Sequence, residues 1–127
     1  MSACEEEVEI ASLLPYETAA VFDRIQRILG AIDRGEDRGM TPISIFTFDG
    51  RTIVRDGANR VVAYRLRNRT RIRASYVDPP EGDDLLRFTI NLREQEEMQG
   101  FAHFPIDQTE ADREWRTTQE FQLFCNH

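Results

Sequence analysis

Lysine is absent from the 127 residues, and all 16 basic side chains are arginines. That absence removes two chemistries. A P-loop reaches the outer phosphates of a nucleotide with a lysine, and Schiff-base catalysis needs a lysine amine. Any anion this chain holds must meet arginine forks, backbone N–H groups or a helix N-terminus. Cysteine is scarce too: Cys4 and Cys125 lie near opposite ends, with no metal-ligand spacing to another cysteine. Reduced thiols are expected rather than a disulfide framework or a zinc site. Histidine is limited to His103 and His127. His103, alone in "FAHFPID", reads as a packed or surface residue, and no metal-binding set is expected. No apolar run approaches the roughly 18 residues of a membrane span. The start, "MSACEEEVEI", is acidic where a secretory signal is basic and then apolar. A cytoplasmic protein that does not enter a membrane is the expectation.

What is present describes one ordinary globular domain. The chain is 40% apolar and 31% charged, a balance that suits a single soluble core. Its net charge of -7 argues against a protein that coats nucleic acid. The distribution is uneven, however. Arg51, Arg55, Arg60, Arg65, Arg67, Arg69, Arg71 and Arg73 fall in one short segment, where Asp56 is the lone acid. This segment reads either as an anion-facing surface or as a solvated helix end and sheet edge.

Periodicity gives the elements. The Glu5 to Glu7 run reads as part of an acidic tail over residues 1–7, and "VEIASLLP" as a first strand and turn. From Thr18, Val21, Phe22, Ile25, Ile28, Leu29 and Ile32 follow helical spacing, with Asp23, Arg24, Gln26 and Arg27 opposite. That helix should end near Gly35. "ISIFTF" and "RTIV" flank Asp49-Gly50 as a β-hairpin. A second helix is predicted over about Ala58 to Arg67, burying Val62, Ala63 and Leu66, followed by a half-buried strand in "RIRASYVD". Beyond it, Leu86, Phe88, Ile90 and Leu92 alternate as a strand, and Thr109 with Asp112 opens a helix burying Ala111, Trp115 and Thr118. Trp115 and the phenylalanines at 101, 104, 121 and 124 read as core or dimer contacts. The expected whole is α/β (α+β), a small mixed sheet with flanking helices, in a single domain over residues 8–127. A strand-helix extension occupies about 85–124.

The stretch "TIVRDGANRVVAYRL" places an Asp-Gly turn between a strand and a helix. The first N–H groups of such a helix have no internal acceptor, and its dipole adds partial positive charge there. Gly57 permits close approach of a ligand, Asn59 offers an amide donor, and Arg60 can fork onto a phosphate. Asp56 has two readings, a helix N-cap or a ligand for phosphate-bound Mg²⁺.

The order of these parts resembles the ParB/sulfiredoxin-like superfamily over about Val8 to Asp78. A Gly-x-x-Arg-x-x-Ala helix start appears as Gly57, Arg60 and Ala63, preceded by Asp56 and by a Thr-Pro-Ile lead-in at Thr41 to Ile43. The resemblance implies that Asp56, Gly57, Ala58, Asn59 and Arg60 bind the phosphates of ATP or CTP with Mg²⁺. Members include CTP-hydrolysing partition proteins, ATP-using sulfiredoxins, free-serine kinases and reported nucleases. Sulfiredoxins carry cysteine and histidine where this chain has Ala58 and Asn59, so sulfinic-acid repair is excluded. Kinase-like members have a histidine at the Asn59 position and an acidic base after the first strand. Glu17 holds a comparable place; its plainer reading is an exposed residue in a helix's first turn. About fifty residues follow Asp78 without a clear recognition helix, which argues against partition activity. Nucleotide hydrolysis or phosphoryl transfer, with Glu17 and Asp56 as catalytic groups, is the leading expectation. The alternatives are a non-catalytic nucleotide-sensing or protein-interaction module, with a protein partner or homodimer, and, least favoured, a nuclease or nucleic-acid binder.

Overall fold

The computed structural model describes residues 5–17, 19–82, 101, 104–109 and 111. Three segments rich in β-branched and aromatic residues, Ile43–Phe48, Arg51–Asp56 and Arg71–Tyr76, build the centre of a five-stranded mixed sheet. Strands β1 (Glu5–Glu9), β2 (Leu13–Pro15), β4 (Ile43–Phe48), β5 (Arg51–Asp56) and β6 (Arg71–Tyr76) lie in the order β1-β6-β4-β5-β2. β4 and β5 form the expected hairpin. Asp49 and Gly50 both have positive φ, 52° and 76°, the conformation a two-residue turn needs to match strand twist. β4 runs antiparallel to β5 and parallel to β6, while β2 joins parallel to β5. A separate parallel pair joins β3 (Ala20–Val21) to β7 (Ile106–Asp107).

Helices α1 (Phe22–Asp33) and α2 (Ala58–Leu66) contribute the apolar residues that cover the sheet. Ile25 and Ile32 of α1 and Val61 and Ala63 of α2 join Ile43, Ile45, Val54, Ile72 and Ala74 in one core, with Phe101 and Phe104 added from further along the chain. Burying each of the valine and isoleucine side chains contributes about 1.5–3 kcal/mol. Successive strand residues face opposite ways. Phe46 and Ile53, paired across the hairpin, therefore turn from this core into a smaller cluster with Leu14, Tyr16 and Phe48.

Several expectations change. Glu5–Glu7 do not form a tail: they pair antiparallel with Arg73–Ser75, and Glu5 and Glu9 meet Arg73 and Arg71. The single strand expected in "VEIASLLP" is split by a 3-10 turn, Ile10–Ser12, so that its halves occupy the two edges of the sheet. The first helix begins at Phe22 rather than Thr18, because Ala20 and Val21 are drawn into pairing with β7. Leu66 is 53% exposed, and the buried face of α2 is completed by Ala58 and Val61. The strand expected over Leu86–Leu92, the helical burial of Trp115 and Thr118, His103 and both cysteines lie outside the described residues. Among the described residues no helix is long and apolar enough to cross a membrane.

Candidate functional site

The turn between β5 and α2 is shaped by glycine. Gly57 is the N-cap of α2 with φ 117° and ψ 17°. A Cβ there would stand 2.4 Å from Ile43 Cγ2 and 2.8 Å from Ile43 Cβ, so only glycine lets β4 pass beneath the turn. The first intrahelical bond runs from the Val61 N–H to the Gly57 carbonyl at 3.0 Å. The N–H groups of Ala58, Asn59 and Arg60 thus begin the helix without intrahelical acceptors, and no side chain caps them. The capping reading of Asp56 is corrected: it is the last residue of β5 and exposed, one position too early to cap.

Asn59 and Arg60 have structural partners that the sequence did not announce. The Val21 N–H donates to Asn59 Oδ1 at 2.6 Å, which ties the first turn of α2 to the start of α1. Asn59 therefore serves first as an acceptor, and only its NH₂ end keeps the donor role expected of it. Arg60 Nη1 donates to the Thr41 carbonyl, while Arg60 Nε is buried without a hydrogen-bond partner among the described residues. Burial pushes the Arg60 pKa below its ordinary value. A half-buried guanidinium with donor capacity to spare favours an anion beside it.

Around this turn lies a cleft of about 170 Å³. All five predicted binding positions, Asp56 to Arg60, line it, and so does Glu17 from the segment before β3. Glu17 is half-buried and precedes α1 by five positions, so its first-turn reading is corrected. Sequence reasoning missed Arg24 and Ile28, which complete the cleft from α1. Their i, i+4 spacing puts them on one helix face, although the spacing of the apolar residues placed Arg24 opposite them. A second groove of about 480 Å³ shares Glu17 and Asp56 and adds Ser44, Arg55, Val77 and Asp78. Arg55 is held over the Tyr16 ring, 4.5 Å from its centroid. No group of three or more His, Cys, Asp or Glu residues among the described ones is arranged to hold a metal ion.

Five of the eight arginines in the segment meet an acid within the fold. Arg51 meets Asp49 at 2.9 Å, Arg67 forks onto Asp33 at 2.8 and 2.9 Å, and Arg69 reaches the buried Asp37 at 3.4 Å. Arg71 pairs with Glu9, and Arg73 with Glu5 and the Met40 carbonyl. These cations are spent on joining elements. Arg55 lies over the Tyr16 ring and Arg60 reaches the Thr41 carbonyl, while Arg65 has neither an acid nor another partner among the described residues.

No family model and no curated protein matches the chain. Solved structures do. A crystal structure of an Agrobacterium tumefaciens protein aligns with a TM-score of 0.53 at 15% identity, covering 74% of this chain and 50% of that one. A free serine kinase in complex with AMP aligns at 0.52 and 15%, covering 61% and 32%. Sulfiredoxin from Arabidopsis thaliana aligns at 0.50 and 14%, covering 68% and 97%. The chain has a sulfiredoxin-like mixed α/β fold. It spans half the length of the Agrobacterium protein and about a third of the kinase, and nearly all of the sulfiredoxin.

Proposed function

We propose that the Asp56–Arg60 turn binds the phosphates of a nucleoside triphosphate, ATP or CTP, and that the domain hydrolyses it or transfers its terminal phosphoryl group. One observation carries this reading: the uncapped start of α2 opens into a cleft walled by Arg24 and Arg60 and rimmed by Glu17 and Asp56. Backbone N–H groups and two guanidinium groups offset phosphate charge, which is the larger part of phosphoryl-transfer catalysis. Exposed Asp56 is the residue to share Mg²⁺ with the phosphates, an ion that uses one or two carboxylates in such sites. In this reading Glu17 takes a proton from an acceptor hydroxyl or a water, a role supported by its position in the lining of both grooves. The complex of the similarly folded serine kinase with AMP supports a nucleotide ligand.

A second reading, a nucleotide sensor without turnover, is favoured by Asn59. It stands where kinase-like members of the superfamily that the sequence resembles have a histidine, and its oxygen is engaged with the Val21 backbone.

The test is a thermal-shift and calorimetric series with ATP, ADP, CTP, GTP and inorganic phosphate, each with and without Mg²⁺. One nucleotide should raise Tm, with about 2.7 kcal/mol of stabilisation at a hundredfold excess over Kd. Asp56→Asn should remove the Mg²⁺-dependent part. Arg60→Gln should weaken binding about tenfold or more, and its ligand-free Tm must be read alongside because Arg60 also holds Thr41. A shift without phosphate release selects the sensor. No shift with any nucleotide overturns both readings.

A further inference from the structure

Arg65, the unpartnered arginine, forms part of a cleft of about 540 Å³ at the opposite end of α2 from the phosphate-facing turn. Nine helical residues separate the two ends, about 13 Å at 1.5 Å per residue. The volume falls in the range of small-molecule sites. Its inner wall is apolar: Ile10 and Phe101 are 3% and 5% exposed. The Ile10 N–H donates to the Thr70 carbonyl at 2.9 Å, which fixes the two sides of the cleft to one another.

The other charges around it are already compensated. Glu9 receives Arg71, and Arg69 reaches Asp37. The backbone is satisfied as well. Asn68 adopts φ 59°, its N–H donates to the Arg65 carbonyl at 3.0 Å, and the Arg69 N–H donates to the Tyr64 carbonyl at 2.9 Å. This is a Schellman closure, in which the Tyr64 and Arg65 carbonyls are occupied by backbone N–H groups and repel an anion less. What remains is one uncompensated cation beside an apolar wall, on a chain of net charge -7.

We propose that this cleft binds a small monoanion with an apolar body, a carboxylate bearing an aromatic or aliphatic group. Arg65 takes the carboxylate, Asn68 and Thr70 add neutral hydrogen-bonding groups, and the body lies against Ile10 and Phe101. A polyphosphate does not suit it, because a single guanidinium stands where several charges would need neutralising. The proposal is independent of nucleotide binding at the other end of α2.

The experiment is an amide-resolved NMR titration of the full chain with 3-phenylpropionate and with its neutral amide, 3-phenylpropanamide. The acid should give saturable shifts at residues 10–11, 65–70 and 101. The amide should bind about tenfold more weakly or worse, as should the acid to Arg65→Gln, the loss expected for one charged hydrogen-bonding partner. Arg65→Gln should leave Tm nearly unchanged, since the side chain is exposed. Equal affinity for acid and amide, equal affinity of wild type and Arg65→Gln, shifts confined to other residues, or no saturable shift would each overturn the proposal.

Discussion

At Gly57 two demands fall on one backbone position: a φ of 117°, and the passage of Ile43 within 2.4 Å of where a Cβ would stand. Gly57→Ala should destabilise the protein by about 2–4 kcal/mol, the sum of left-handed strain and overpacking. Denaturant unfolding measures it, and repeating the substitution in an Ile43→Ala background separates the two causes. The steric share should shrink there, because the contact with Ile43 Cγ2 at 2.4 Å is removed while that with Cβ at 2.8 Å remains, and the conformational share should stay; an identical loss in both backgrounds would show that the Ile43 side chain beyond Cβ contributes nothing. The residues of this turn were legible in sequence because a strand, an Asp-Gly pair and a helix follow one another within a few positions. Their partners were not. Ile43, Thr41, Val21 and Arg24 reach the turn from β4, the segment before it, and the start of α1, and no local pattern specifies such meetings.

α2 is anchored at its middle by Tyr64, whose hydroxyl donates to the buried Asp37 carboxylate at 3.1 Å. Burial, followed by the bond and charge of Asp37, raises the Tyr64 pKa above its ordinary 10.0. The neutral phenol is therefore the form the fold prefers. Its contribution is complete below about pH 10 and is lost as pH rises through the folded-state value. Urea unfolding between pH 8 and 11.5 should show wild type losing stability on the alkaline side more steeply than Tyr64→Phe. At neutral pH the same variant should be less stable by about 1–3 kcal/mol, because Asp37 loses a donor in a buried setting. Parallel pH profiles would remove Tyr64 from this role. Among the elements, α1, α2, the hairpin and β6 were readable because their signals are local: a 3.6-residue period, an alternation, a turn dipeptide. β1 and β2 were read as one strand and β3 was missed, because each is short and is defined by a distant strand, as when Glu5 meets Ser75 and Ala20 meets Ile106.

Over the whole molecule, the arginines act as internal ties. With Arg67, Arg69, Arg71 and Arg73 each engaged by an acid, the cation-rich stretch offers little to a phosphate backbone. Fluorescence anisotropy with a single-stranded oligonucleotide at physiological salt should detect no binding in the roughly 10⁻⁴–10⁻⁶ M range of non-specific DNA-binding proteins. Saturable binding that weakens steeply with salt would restore the nucleic-acid reading. The order in which the sheet is strung has a consequence for the ribosome. Glu5–Glu9 and Leu13–Pro15 are synthesised before β6 and β5, with which they pair, so both outer strands must wait for residues 51–76 to be translated. Closing the early chain onto β5 and β6 is a long-range step of the kind that slows folding. While it waits, the run of three glutamates keeps that nascent segment charged and poorly suited to pairing with another copy of itself.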